Sequence, residues 1–125
     1  MSTTEQLGGA TLDIMSAAEV KEALDANTIV LIDVRTPAEF AFEHIPGALL
    51  FPLSSFDATK LPDQVEKRIV FHCGSGKRSH IVAERCASAG LTRLAHMDGG
   101  FGAWKQAGFT YYTVDPSTGS TVKKP

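Results

Sequence analysis

The chain has 125 residues, 43% of them hydrophobic, and a formal net charge of −2. That is one domain's worth of sequence with enough apolar side chains for a core, and it lacks the basic surplus that accompanies nucleic-acid binding. The N-terminus, MSTTEQLGGA, has neither the basic start nor the apolar centre of a secretory signal. The longest candidate apolar run, Ala48–Leu53, contains Pro52 and falls far short of the ~18 residues of a membrane helix. A soluble, cytoplasmic protein is expected, with no membrane or nucleic-acid partner. Two cysteines, Cys73 and Cys86, read as free thiols in a chain without an export signal. Neither they nor the histidines have zinc-site spacing, so no metal or other cofactor is expected.

In chain order, residues 1–9 are polar and end in glycine, which predicts a frayed terminus. Thr11–Ile14 is a candidate edge strand. Ser16 with Glu19 three residues later forms a capping box, and Val20, Ala23 and Leu24 continue at helical spacing. Thr28–Val34 (TIVLIDV) is a nearly unbroken aliphatic run of the kind buried on both faces of a parallel sheet. Thr36-Pro37-Ala38-Glu39 supplies a cap, a proline in the first turn and an acidic side chain at the positive helix end. Pro46 stops that helix near residues 43–44. Ala48–Phe51 and Arg68–His72 (RIVFH) follow as strands, the second of them central. Ser79–Ala89 is expected as a helix closed by Gly90, Arg93–Met97 as a last strand, and Gly100–Ala107 as a helix closed by Gly108. The tail 115–125 (DPSTGSTVKKP) is polar and expected to be loosely attached. The alternation of strands and helices over residues 10–110 predicts a single α/β domain with a mostly parallel sheet.

The strongest chemical signal is His72-Cys73-Gly74-Ser75-Gly76-Lys77-Arg78-Ser79, placed between a buried strand and a helix. In open α/β sheets the carboxyl ends of strands are where sites form. Gly74 and Gly76 allow the backbone to curl, and a curled backbone turns successive N–H groups inward as an anion nest. The helix that follows adds its positive end, Lys77 and Arg78 add cations, and Ser79 is a candidate cap. Such surroundings can lower a cysteine pKa from ~8.5 to ~3.5–7.5, which makes Cys73 a candidate nucleophile. The plainer alternative is a packed thiol beside an ordinary glycine turn. A nucleotide-binding P-loop is disfavoured because the spacing GxxxxGK[ST] is absent.

Three segments together resemble the rhodanese family: IDVRTPAEFAFEHIPGA (residues 32–48), CGSGKRS (residues 73–79) and DGGFGAWKQAG (residues 98–108). The resemblance runs from about Ser16 to Phe109. It implies a rhodanese-like fold, with a five-stranded, mostly parallel sheet flanked by helices on both faces. It also implies a thiosulfate sulfurtransferase that needs no cofactor. Cys73 would take sulfane sulfur from thiosulfate, a polysulfide or a persulfide and pass it to a thiol or to cyanide. Gly74, Ser75, Gly76, Lys77, Arg78 and Ser79 would bind the substrate, and Arg35 of the DVR segment would lie near the pocket. Glu43, where many members have glycine, and Leu50-Phe51, where many have Asn-Ile or Asn-Val, depart from the pattern at the rim.

The remaining candidates have simpler readings. Asp33 and Arg35 share one face of a strand end and make either a structural ion pair or part of the substrate site. His44 anchors the Ile45-Pro46-Gly47 turn. His72 points away from the side on which Cys73 lies, Trp104 packs against the sheet, Cys86 is a packed thiol, and His80 has no assigned work. Two other functions compete with sulfur transfer. One is a cysteine phosphatase or arsenate reductase, whose His-Cys-x5-Arg pattern is one residue longer than the Cys73-x4-Arg78 spacing here. The other is a non-catalytic protein-binding module.

Overall fold

The structure, a computed structural model, describes residues 3–125. Met1 and Ser2 belong to the segment expected to fray and lie outside the described residues. The elements run β1 (Thr3–Leu7), β2 (Ala10–Met15), α1 (Ala17–Asp25), β3 (Ile29–Asp33), α2 (Pro37–Phe42), β4 (Glu43–His44), β5 (Leu49–Leu50), β6 (Arg68–His72), α3 (Lys77–Ser88), β7 (Arg93–Met97), α4 (Gly100–Gln106), β8 (Tyr111–Val114) and β9 (Thr121–Lys124). Two short 3-10 turns, Leu53–Ser55 and Ala58–Lys60, sit between β5 and β6.

The main sheet has the order β1-β2-β7-β6-β3-β5. Strands β2, β7, β6, β3 and β5 run parallel to one another, which gives the expected five-stranded parallel core. Strand β1 extends it as an antiparallel edge. Alternation along the strands divides the core in two. Ile32, Val34, Ile69, Phe71 and Cys73 face α3 and the 3-10 turns, packing with Val82, Ala83 and Cys86. Ile29, Leu31, Val70, Ala95 and Met97 face α1 and α4, packing with Val20, Phe101 and Trp104. Parallel strands covered on both faces explain why β3 and β6 read as continuous apolar runs.

The expected capping box of Ser16 with Glu19 is formed, and the expected Thr36 cap with Pro37 in the first turn is formed too, where Glu39 completes a second box. The expectation for α3 needs correction. The helix begins at Lys77, two residues earlier than expected, and its N-cap is Gly76 at φ +107°. Only glycine holds that conformation without strain, so Ser79 is released from capping and sits inside the first turn.

The two ends also differ from expectation. Residues 3–7 pair along their whole length with β2 through the two-residue Gly8-Gly9 turn. Residues 121–124 pair with β8, which itself pairs with β4, in a second, three-stranded antiparallel sheet. Their polar side chains suit exposed edge strands, which need only one partner and little burial. No helix among the described residues is long and apolar enough to cross a membrane.

Candidate active site

Cys73 follows β6, the central strand, at the carboxyl end of the parallel sheet. Its sulfur accepts a hydrogen bond from the Gly76 amide at 3.1 Å, and the Ser79 hydroxyl oxygen lies 3.8 Å away. Burial works to raise the thiol pKa. The amides of Ser79, Ser75 and Gly76, with the Ser79 hydroxyl, outweigh it and hold Cys73 below the ordinary thiol value. The nest read from the two glycines is therefore present, and its donors are backbone groups.

What holds the loop in this shape is the third sequence segment. The Phe101 amide donates to the Cys73 carbonyl at 2.7 Å, and the Gly102 amide donates to the Gly74 carbonyl at 3.1 Å. Within a peptide plane N–H and C=O point opposite ways, so tying the Gly74 carbonyl to α4 turns the Ser75 N–H back toward the sulfur. Gly100, at φ +58°, makes this approach possible. A Cβ there would meet the Cys73 carbonyl oxygen and lie 2.6 Å from the Gly74 carbonyl carbon and 2.7 Å from the Ser75 nitrogen.

The two cations of the loop have different fates. Lys77 is exposed at the start of α3. Arg78 folds back across Gly74 and binds Glu39 through two hydrogen bonds, at 2.6 and 3.1 Å. This pair holds the Glu39 carboxyl down at about 2. Glu39 thus caps α2 and also ties that helix to the loop.

Arg35 is engaged elsewhere. It donates to both Asp33 oxygens, at 2.8–3.0 Å, and to the Glu43 carbonyl at 2.6 Å, and its guanidinium stacks 4.6 Å over the Phe101 ring. Asp33 and His72 are wholly buried beside it. Burial pushes the His72 pKa down despite Asp33 at 3.5 Å. His44 donates its Nδ1–H to the Phe40 carbonyl (2.8 Å) and stacks on the Phe40 ring, anchoring the turn that follows it. Trp104 is core, with its ring N–H on the Thr110 carbonyl at 2.9 Å.

The sulfur itself has no exposed surface: Cys73 is 0% accessible. The loop around it is exposed at Ser75 and half-buried at Gly74 and Gly76. Beside the loop a cavity of about 310 Å³ is lined by Val34, Arg35, Leu53, Ser54, Arg78 and Arg85, among others.

Sequence reasoning passed over three contributors. Gly100 and its two following amides lay in a segment read as core packing. Glu39 is read from the sequence only as an acidic residue in the first turn of α2. His96, on β7, hydrogen-bonds the Ser79 hydroxyl at 2.8 Å, and nothing local in the sequence links residues 79 and 96.

A family model described as Rhodanese-like domain matches residues 16–107. Among curated relatives, an uncharacterized protein of Synechocystis sp. is 42% identical over 66% of this chain, which spans 46% of that protein. A protein named sulfurtransferase from Allochromatium vinosum is 30% identical over 77% of this chain and 90% of its own length. Two solved structures are similar. A rhodanese-related protein from Thermoplasma volcanium has a TM-score of 0.66 at 26% identity, covering 77% of this chain and 93% of its own. A protein of Rhodopseudomonas palustris described as a possible tyrosine phosphatase has a TM-score of 0.64 at 28% identity, covering 77% and 81%.

Proposed function

Because the chain belongs to the rhodanese-like domain family, we propose that it is a sulfurtransferase carrying sulfane sulfur as a persulfide on Cys73. The observation that carries this reading is the ring of donors on the Cys73 sulfur: the amides of Ser75, Gly76 and Ser79 and the Ser79 hydroxyl. Fixed dipoles aimed at a buried anion stabilise it without reorganising. They serve the thiolate before transfer and the persulfide anion after it.

With thiosulfate as donor, the Cys73 thiolate attacks the outer sulfur. The S–S bond of the donor breaks, sulfite leaves with the bonding pair, and the negative charge rests on the terminal persulfide sulfur. A thiolate or cyanide acceptor then attacks that sulfur and Cys73 leaves as the thiolate. The loop must open to admit the donor, and Ser75 at its exposed tip is where movement costs least packing. The cavity with Arg78 and Arg85 offers the anionic donor a positive approach.

A cysteine phosphatase is the second reading, favoured by the same cradle. It needs its arginine fork free to clasp a phosphoryl group, whereas Arg78 is bound at both ends to Glu39. Intact-mass measurement after thiosulfate treatment decides between them when paired with an aryl phosphate assay. A gain of one sulfur atom that disappears in Cys73→Ser supports sulfur transfer. Phosphate release without any gain in mass overturns it.

A further inference from the structure

While the loop is closed the Cys73 thiol has no exposed surface and cannot release its proton directly to water, so in this state the proton needs a route through the protein. Among the described residues, a chain of hydrogen-bonding groups in contact with the sulfur leads away from the loop amides. The Ser79 hydroxyl stands 3.8 Å from the Cys73 sulfur and 2.8 Å from Nδ1 of His96. Loop amides can donate to sulfur but cannot accept from it. Ser79 is wholly buried and His96 is 6% exposed, so His96 is where this chain first meets the surface.

We propose that His96 is a positioning residue for the sulfur site, carrying the Cys73 proton out through Ser79 and thereby turning the Ser79 hydroxyl toward the sulfur anion. In the thiol state the S–H donates to Ser79 Oγ, the Ser79 hydroxyl donates to Nδ1, and the imidazole proton is on Nε2. On ionisation the S–H bond breaks and an O–H bond forms at Ser79. The original O–H breaks and an N–H forms at Nδ1, and the Nε2 proton leaves for solvent. One proton has left the protein and the imidazole has changed tautomer. Ser79 now donates to the thiolate while its oxygen accepts from Nδ1. The Gly76 carbonyl, 3.2 Å from the Ser79 hydroxyl, is the competing acceptor, and an Nδ1–H does nothing to hold the hydroxyl there.

The surroundings suit a relay that does not retain the proton. His80 of α3 packs edge-on against His96 with ring centroids 5.9 Å apart. Glu5 of β1 binds His80 at 3.0 Å, and Glu84 one turn along α3 lies 3.4 Å from its other nitrogen. These carboxylates keep His80 protonated to higher pH. Burial first, and then the His80 charge, push His96 down, against the opposing fields of Asp98 and Glu5. Nε2 therefore gives up its proton readily at neutral pH.

The inference rests on Cys73 being the sulfur carrier, but its test uses no sulfur donor, so the two can fail separately. Nitrogen-15 NMR of the imidazoles distinguishes the tautomers directly. As pH rises through the Cys73 ionisation in the wild-type chain, His96 should pass from Nε2–H to Nδ1–H. In Cys73→Ser it should keep one tautomer across the same range. A single tautomer throughout in the wild type, or the same change in Cys73→Ser, overturns the proposal.

Ultraviolet thiolate absorbance supplies the second reading. In His96→Leu the Cys73 titration should move up by about one unit, because a hydrogen bond to the anion is lost. In His96→Asn the side-chain amide can still donate to Ser79, and the titration should stay near that of the wild type. A His96→Leu protein with wild-type near-ultraviolet circular dichroism and an unmoved titration contradicts the proposal.

Discussion

Cys73 and Cys86 are both 0% exposed, both free, and both packed into the same half of the core. Burial alone would give them the same inert chemistry. Cys86 behaves that way: apolar surroundings push its thiol up to about 11. Cys73 is held below the ordinary value because three amides and a hydroxyl meet its sulfur. The two differ in what ends near the sulfur, not in how deep it lies. Cys86 is in the last turn of α3, where the backbone amides are already used within the helix. Cys73 precedes the first turn of the same helix, where four amides lack intrahelical partners. One helix thus places an inert thiol near one end and an activated one at the other.

The comparison can be broken most severely by exchanging the two residues' roles. Cys73→Ser should abolish sulfur loading in the intact-mass assay, while Cys86→Ala should leave it intact. Loading in Cys73→Ser would move the chemistry elsewhere.

The next largest effect is expected from Gly100→Ala. Its Cβ would collide with the loop, and its φ of +58° disfavours alanine. Opening the amide ring should slow persulfide formation by about tenfold or more and cost about 1–3 kcal/mol of stability. Single-turnover rates and thermal unfolding check this; a wild-type rate would show that α4 does not shape the ring.

Ser79→Ala removes one donor to the anion and should raise the Cys73 titration by about one unit without moving that of Cys86. Equal shifts in both would point to a general change in packing.

Glu39→Gln keeps the capping box, which accepts glutamine, and frees Arg78. The KM for thiosulfate should fall by about threefold, the scale of an exposed ion pair. The same variant tests the pH dependence. The Glu39 pKa is depressed to about 2, so its pairing contributes full stability above the ordinary glutamate value, and that contribution is lost as pH falls toward 2. Acid unfolding of Glu39→Gln should lack this loss between the ordinary value and about 2. The smallest effect belongs to Lys77→Ala, expected to change loading rates by less than about twofold because an exposed cation is screened.

Much of this arrangement was legible in the sequence because it is local. Cys73, the glycines of its loop, the Ser16–Glu19 capping box, the Thr36-Pro37 helix start and the parallel strands each declare themselves within a few residues. The parts that were not legible come from long-range contacts. Nothing near Gly100 signals that its N-terminal neighbours in space are Cys73 and Gly74. The 2.8 Å contact between Ser79 and His96 joins two elements through the register of β6 and β7. Arg78 looked like a free cation until α2 brought Glu39 to it, and Arg35 had two readings until Asp33, Glu43 and Phe101 filled its reach. The edge strands were missed for another reason. Polar composition points to frayed or loosely attached ends, although Gly8-Gly9 is a hairpin signature. Likewise, Tyr111–Val114, the Asp115–Gly119 turn and Thr121–Lys124 spell strand, turn and strand.

The central claim is that backbone donors, not exposure, distinguish the two cysteines, and a thiolate absorbance titration of the native chain tests it most directly. Two separate steps should appear: one below the ordinary thiol range that vanishes in Cys73→Ser, and one near 11 that vanishes in Cys86→Ala. A single transition in which both thiols ionise together at or above the ordinary value would contradict it.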